Sequence, residues 1–157
     1  MFAFALVGGA LGLAWVSRMY QATPWDRAFR AAGLRWGVPH NLLRAIARQE
    51  SGLNASAVHA NANGSTDWGL MQLNDTTLRA LGLTTAQALL PDQAIPAAAQ
   101  LLASIRRELR DRFSTFTWAE AYNVGSDLSP AGPGTAYASS VLWHWMLYDV
   151  SEALGRA

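Results

Sequence analysis

The chain has 157 residues, about half of them hydrophobic (51%), which is enough for one compact core and too little for two. Its twelve basic residues are all Arg and nearly balance eleven acids, so a net charge of +1 supplies no field that would gather nucleic acid. The absence of Cys excludes a disulfide framework, a thiol nucleophile and thiolate zinc sites, while leaving the redox compartment open.

The first element is apolar. Phe2 to Val16, FAFALVGGALGLAWV, carries no charge, and Ser17, Arg18, Met19 and Tyr20 flank it. Residues 2–19 read as a membrane-directed segment at the lower limit for spanning hydrocarbon, where about 20 residues are typical. An uncleaved anchor over 1–20 fits better than a signal peptide, because no basic n-region precedes the apolar run and no small-x-small cleavage site follows it. Gly8 and Gly12 give a GxxxG spacing that would let two such helices approach. The arginines that follow, Arg18, Arg27, Arg30 and Arg35, would by the positive-inside tendency hold the domain in the cytoplasm, in conflict with any role outside it.

Residues 21–157 contain no repeat or low-complexity run and read as one mainly helical domain, α+β at most through a small hairpin. A first helix is predicted from Trp25 to Trp36, stopped by Gly37. Pro39 suits the first turn of a second, which runs to Ser51 with Gly52 as its stop. The Asn-, Ser- and Gly-rich stretch from Gly52 to Gly69 reads as a long loop with short extended pieces, a length that usually has a functional reason. Short helices follow at Asp75–Leu81 and after Thr84, where Gln87 completes a capping box. A longer helix is expected over Asp92–Arg112 with Pro96 near its start, and Thr117 with Glu120 gives a second capping box. Ser126 to Gly134 reads as a loop and Tyr137 to Leu154 as the last helix. Within it, Trp143 and Trp145 suit packing on the first helix better than membrane contact.

On the second helix Leu43, Ile46, Ala47 and Glu50 fall at i, i+3, i+4 and i+7, so the carboxyl extends the apolar stripe and is aimed inward. Loss of water and the negative end of the helix dipole both favour its protonated form, the state a glycosidic leaving-group oxygen needs. Taken alone, such a Glu reads better as a residue at the rim of the core paired with an Arg.

Glu50-Ser51, then Gly69-Leu70-Met71-Gln72, then Ala121-Tyr122-Asn123, in this order and spacing, resemble the lytic transglycosylases of the soluble transglycosylase, goose-lysozyme-like group. The stretch from Leu42 to Asn74, LLRAIARQESGLNASAVHANANGSTDWGLMQLN, is most similar to the small specialised enzymes of secretion, conjugation and type IV pilus systems and of phage particles. The similarity spans roughly Trp25 to Val150.

The resemblance implies a lysozyme-like domain with a substrate cleft, acting on peptidoglycan glycan strands in the cell envelope. It would be anchored in the inner membrane facing the periplasm, released there by cleavage, or carried in a virion. Glu50 would protonate the bond between N-acetylmuramic acid and N-acetylglucosamine, then take the proton of the muramyl C6 hydroxyl as it closes on C1, leaving a 1,6-anhydromuramyl end. No second carboxylate is needed, since the nucleophile belongs to the substrate. Ser51 would orient substrate or Glu50, Met71 and Gln72 would line the cleft floor, Tyr122 would hydrogen-bond near the Glu50 carboxyl, and Asn123 would hold the surrounding loops. Tyr137 matches a family aromatic near the cleft and reads equally as a buried structural Tyr. Taken singly, Ser51 is an ordinary helix-end residue and Met71 a core residue. The sequence departs from its relatives at Ala94-Ile95-Pro96 and in the Pro- and Gly-rich loop after Gly125.

Neither metal nor cofactor is expected: His40, His59 and His144 are scattered and no dense carboxylate cluster accompanies them. Asp67, Asp75 and Asp127 would be the second acid of a hydrolase, but each better fits a turn or helix-cap role. Two other functions compete, a lysozyme-type muramidase and a non-catalytic, membrane-anchored glycan-binding adaptor.

Overall fold

The computed structural model describes residues 20–109, 115–124 and 133–155. The apolar segment 2–16, the expected helix end at Arg112 and most of the loop from Ser126 to Gly134 lie outside them. The order is α1 (Asp26–Trp36), α2 (His40–Ser51), β1 (Val58–Ala60), β2 (Thr66–Trp68), β3 (Leu73–Asn74), α3 (Asp75–Leu81), α4 (Thr85–Ala88), α5 (Pro91–Glu108), α6 (Thr115–Val124) and α7 (Pro133–Ala153). No helix among the described residues is long and apolar enough to cross a membrane.

The central element is α2, buried without interruption from Asn41 to Ala47. Its apolar side chains Leu42, Leu43 and Ile46 are completely enclosed, as a helix with neighbours on every side requires. Helix α7 packs on α2 and α6, and α1 packs on α2 and α5. Helix α7 lies chiefly on α2 and α6, with Trp145 packed against the core and Trp143 41% exposed.

Burying α2 also buries Arg44, whose charge must be compensated within the protein. Its Nη1 donates to Asn41 Oδ1 (2.9 Å), its Nη2 to the Gln21 carbonyl (3.3 Å), and its Nε lies 3.3 Å from Asp26 Oδ1. The guanidinium also stacks over Tyr148 at 4.1 Å. This network fixes the start of the described chain. Tyr20 is buried, with its hydroxyl bonded to His144 Nδ1 (2.7 Å), its carbonyl accepting from Ser151 Oγ (2.9 Å), and Arg48 over its ring (4.7 Å).

Helix boundaries follow local chemistry. At the end of α2 Gly52 takes the left-handed conformation (φ +63°), and the amides of Gly52 and Leu53 return to the Arg48 and Ala47 carbonyls. Pro39 sits one position earlier than expected, as the N-cap with ψ +123° rather than inside the first turn. The Thr84 and Gln87 capping box is present in full. The one expected at Thr117 is not: α6 already begins at Thr115, so Thr117 is helical, and Glu120 instead accepts from Thr135 Oγ (3.0 Å). Pro91 occupies the first helical position of α5, which places Pro96 inside the helix, where its missing amide leaves the Asp92 carbonyl without its usual donor. Helix α7 starts a turn before Tyr137.

The long loop folds into a small antiparallel sheet in the order β1-β2-β3, pairing His59 with Asp67 and Asp67 with Asn74. The Asp75 carboxylate braces it, accepting from the Trp68 indole (2.8 Å) and the Thr66 amide (2.8 Å). These bonds hold the Asp75 carboxyl below its ordinary range.

Candidate active site

A cleft of about 590 Å³ runs between the sheet on one side and α5 and α6 on the other. Asn61, Ser65 and Asp67 line the sheet wall, Leu101 and Ile105 of α5 face them, and Glu50 lies at the end of α2.

Glu50 is mostly enclosed, and Tyr137 of α7 donates a 2.7 Å hydrogen bond to its Oε1. Burial pushes the Glu50 carboxyl up to about 7. The Tyr137 bond works against that rise and the Asp67 charge adds to it. A carboxyl titrating near neutrality can give up a proton and take one back, as an acid that later acts as base must.

Tyr137 is therefore the tyrosine that touches Glu50. Tyr122, expected to bond near that carboxyl, lies on the cleft and donates its hydroxyl to the Met71 carbonyl (3.0 Å). Burial and the nearby Glu50 carboxylate raise both tyrosines well above the usual phenol range, with Asp67 adding to the rise at Tyr122, so both stay neutral donors.

The segment Gly69-Leu70-Met71-Gln72 is held by backbone conformation. Gly69 has φ +75°, and a Cβ there would lie 2.1 Å from the Ala88 carbonyl oxygen, so only glycine fits. Gln72 is itself left-handed (φ +47°), and its side-chain amide donates to the Gly69 (2.8 Å) and Ala57 (3.2 Å) carbonyls. Gln72 thus lines the cleft while locking its own turn.

Met71 does not line the floor. Its side chain is completely buried, and its carbonyl meets Tyr122. Ser51 bridges elements: its hydroxyl reaches the Leu70 carbonyl (2.8 Å) and the Ala47 carbonyl (3.1 Å) and accepts from the Asn54 amide (3.1 Å). It joins the helix end that carries Glu50 to the segment that carries Gln72. Asn123 is exposed at the cleft.

Of the sheet wall, the sequence singles out Asp67 alone. Asn61, Asn63 and Ser65 belong to the turn that joins β1 to β2, and with Asp67 of β2 all four line the cleft. Asp67 is neither a turn nor a cap residue; it sits at the centre of β2.

Comparison with known proteins agrees with this geometry. The chain is 48% identical to protein IpgF of Shigella flexneri over 63 residues, which are 40% of this chain and 39% of that protein. It is 32% identical to invasion protein IagB of Salmonella typhi over 124 residues, 76% of this chain and 75% of that one. The fold matches an inactive mutant of the lytic transglycosylase Slt from Pseudomonas aeruginosa, with TM-score 0.64 and 22% identity, over 85% of this chain and 25% of that one. Residues 27–129 match the transglycosylase SLT domain, and the chain belongs to that family, with its lysozyme-like, mainly helical fold.

Proposed function

We propose that the protein is a peptidoglycan lytic transglycosylase in which Glu50 alone serves as acid and then base at the bond between N-acetylmuramic acid and N-acetylglucosamine. The observation that carries this reading is the carboxyl of Glu50, enclosed at the end of α2, bonded to Tyr137, open to a sugar-sized cleft and titrating near 7. Its proton goes to the glycosidic oxygen as the bond to C1 breaks. The muramyl C6 hydroxyl then closes on C1 and returns a proton to the carboxylate, so the enzyme ends as it began and the product carries a 1,6-anhydro ring.

Supporting roles follow from position. Tyr137 holds the carboxyl in one orientation, Gln72 and Asn123 meet the glycan, and Tyr122 fixes the floor through the Met71 backbone. Ser51 acts on Glu50 through the helix end rather than on the sugar. Within the reading, residues 2–19 attach the domain to the inner membrane facing the periplasm. The likeness to an invasion protein supports service to a secretion-type machine that must pass the wall.

The test is digestion of purified sacculi, with the released muropeptides weighed. Anhydro ends are expected, and Glu50→Gln is expected to lower their release at least about 10²-fold. Products one water heavier would make the protein a muramidase. Sacculi left intact by the folded, glycan-binding wild type would make it an adaptor.

A further inference from the structure

We propose that the outer face of α7, from Trp143 to Leu154, is a membrane-contacting surface that lies in the headgroup region of a lipid bilayer and sets how the domain is turned on it. The inference rests on the reading that residues 2–19 attach the chain to a membrane, and adds a second contact within the folded domain.

Helix α7 is apolar on two faces. Ala138, Val141, Leu147 and Tyr148 are buried in the core. Trp143, Met146, Val150 and Leu154 follow one another at intervals of three and four on the other side, and are 41%, 43%, 36% and 42% exposed. They make one stripe along about 16 Å of helix. A helix that is apolar on every side is ordinarily covered on every side. The other large exposed hydrophobic residues among those described, Leu34, Val58 and Leu90, belong to three separate segments and share no helix face.

The place where the chain enters the domain identifies the cover. Tyr20 is bonded to α7 twice, through its hydroxyl to His144 Nδ1 (2.7 Å) and through its carbonyl, which accepts from Ser151 Oγ (2.9 Å). His144 and Ser151 bracket Met146 and Val150 along the helix, so this attachment runs beside the stripe. Only Ser17, Arg18 and Met19 separate it from the uncharged stretch that ends at Val16. A bilayer that holds that stretch is therefore brought against α7.

The chemistry of the face suits lipid. Trp143 joins an apolar ring system to an indole N–H, the combination favoured at the membrane–water boundary, and Met146, Val150 and Leu154 supply apolar area. The acids beside the stripe are engaged with other helices: Asp149 accepts from Asn41 of α2 (2.8 Å), and Glu152 accepts from Asn41 (2.6 Å) and pairs with Arg30 of α1 (2.6 Å). A second copy of the chain is a poorer cover, since four side chains less than half exposed offer roughly 300 Å², against about 800 Å² per partner in a stable protein interface. A bilayer asks for less. With residues 2–19 already attached to it, the stripe meets lipid at high effective concentration, so a small apolar area suffices. One attachment point leaves the domain free to rotate, whereas a point and a line together fix it. Tyr137, which bonds Glu50, lies on the same helix within two turns of Trp143, so the cleft keeps a set bearing to the bilayer.

The absence of Cys lets a single nitroxide be attached at a chosen residue. Full-length Met146→Cys, spin-labelled, is reconstituted into vesicles of phosphatidylethanolamine and phosphatidylglycerol. Relaxation of the label by oxygen, which gathers in lipid, is compared with relaxation by a water-soluble nickel chelate, and labelled Ala80→Cys, exposed on α3, is the reference. We expect oxygen to act several-fold more strongly at 146 than at 80, and nickel several-fold more weakly. A label at 146 that nickel reaches as freely as at 80 overturns the proposal. A label shielded from both reagents also overturns it, the cover then being protein: a second copy if spin–spin broadening grows with protein density in the vesicles, residues 2–19 themselves if it does not. If melting shows that labelled Met146→Cys does not fold, Leu154→Cys, at the end of the same stripe, carries the label instead. Failure of the underlying reading looks different, since the wild-type chain would then not float with the vesicles, and the proposal would fall with it.

Discussion

Glu50 stores a stability cost that should be visible without any substrate. In the unfolded chain its carboxyl titrates near 4.5, and in the fold burial raises it to about 7. Below pH 4.5 both states hold the proton and the group imposes no pH-dependent cost. As pH rises to about 7 the unfolded chain releases the proton while the folded one keeps it, so the folded state loses about 1.4 kcal/mol per pH unit, and above 7 the loss levels off. The full shift corresponds to about 3 kcal/mol, reduced to roughly 2 kcal/mol by water that reaches the carboxyl from the cleft. Glu50→Gln keeps the shape and an acceptor for Tyr137 but cannot ionise. Urea unfolding of the two proteins at pH 4.5 and pH 8 should therefore show the variant gaining about 2 kcal/mol on wild type between those conditions, while every other titrating group cancels. A gap of the same size at both pH values, or a larger one in acid, would refute the enclosed carboxyl and the mechanism built on it.

Three further outcomes follow from the geometry. Wild-type cleavage, followed by turbidity of sacculi against pH, should decline above about 7 as Glu50 ionises, and Tyr137→Phe, which removes a bond favouring the ionised form, should move that decline to higher pH while lowering the rate severalfold. Tyr122→Phe strands the Met71 carbonyl and should cost about 1–3 kcal/mol in urea unfolding. Gly69→Ala drives a methyl into the Ala88 backbone in a left-handed turn, and should destabilise by more than about 3 kcal/mol or leave no soluble protein on expression.

The parts of this molecule that a sequence displays are those governed by local rules. The stripe of Leu43, Ile46, Ala47 and Glu50 predicts an inward carboxyl because helical spacing fixes which side chains share a face, and the fold keeps it. Gly37, Gly52 and the Thr84 box mark helix ends by the conformations and caps those ends require. The site's remaining contacts depend on tertiary placement. Which of two tyrosines bonds Glu50 is decided by how α7 lies on α2, and nothing near Tyr122 or Tyr137 encodes that crossing. Thr117 and Glu120 have the spacing of a cap, yet the helix begins earlier and Glu120 finds Thr135 instead. Asp67 reads in the sequence as a turn or helix-cap residue, whereas the fold sets it in the middle of a strand. Its strand is three residues long, too short for a hydrophobic alternation to announce it.

The buried Tyr20 has a mechanical consequence. A residue gripped by Ser151, His144 and Arg48 cannot act as a hinge, so a pull arriving at Tyr20 passes to α2 and α7 together. Those are the helices that carry Glu50 and Tyr137, so tension at that end of the domain is shared by both members of the hydrogen-bonded pair and leaves them in register.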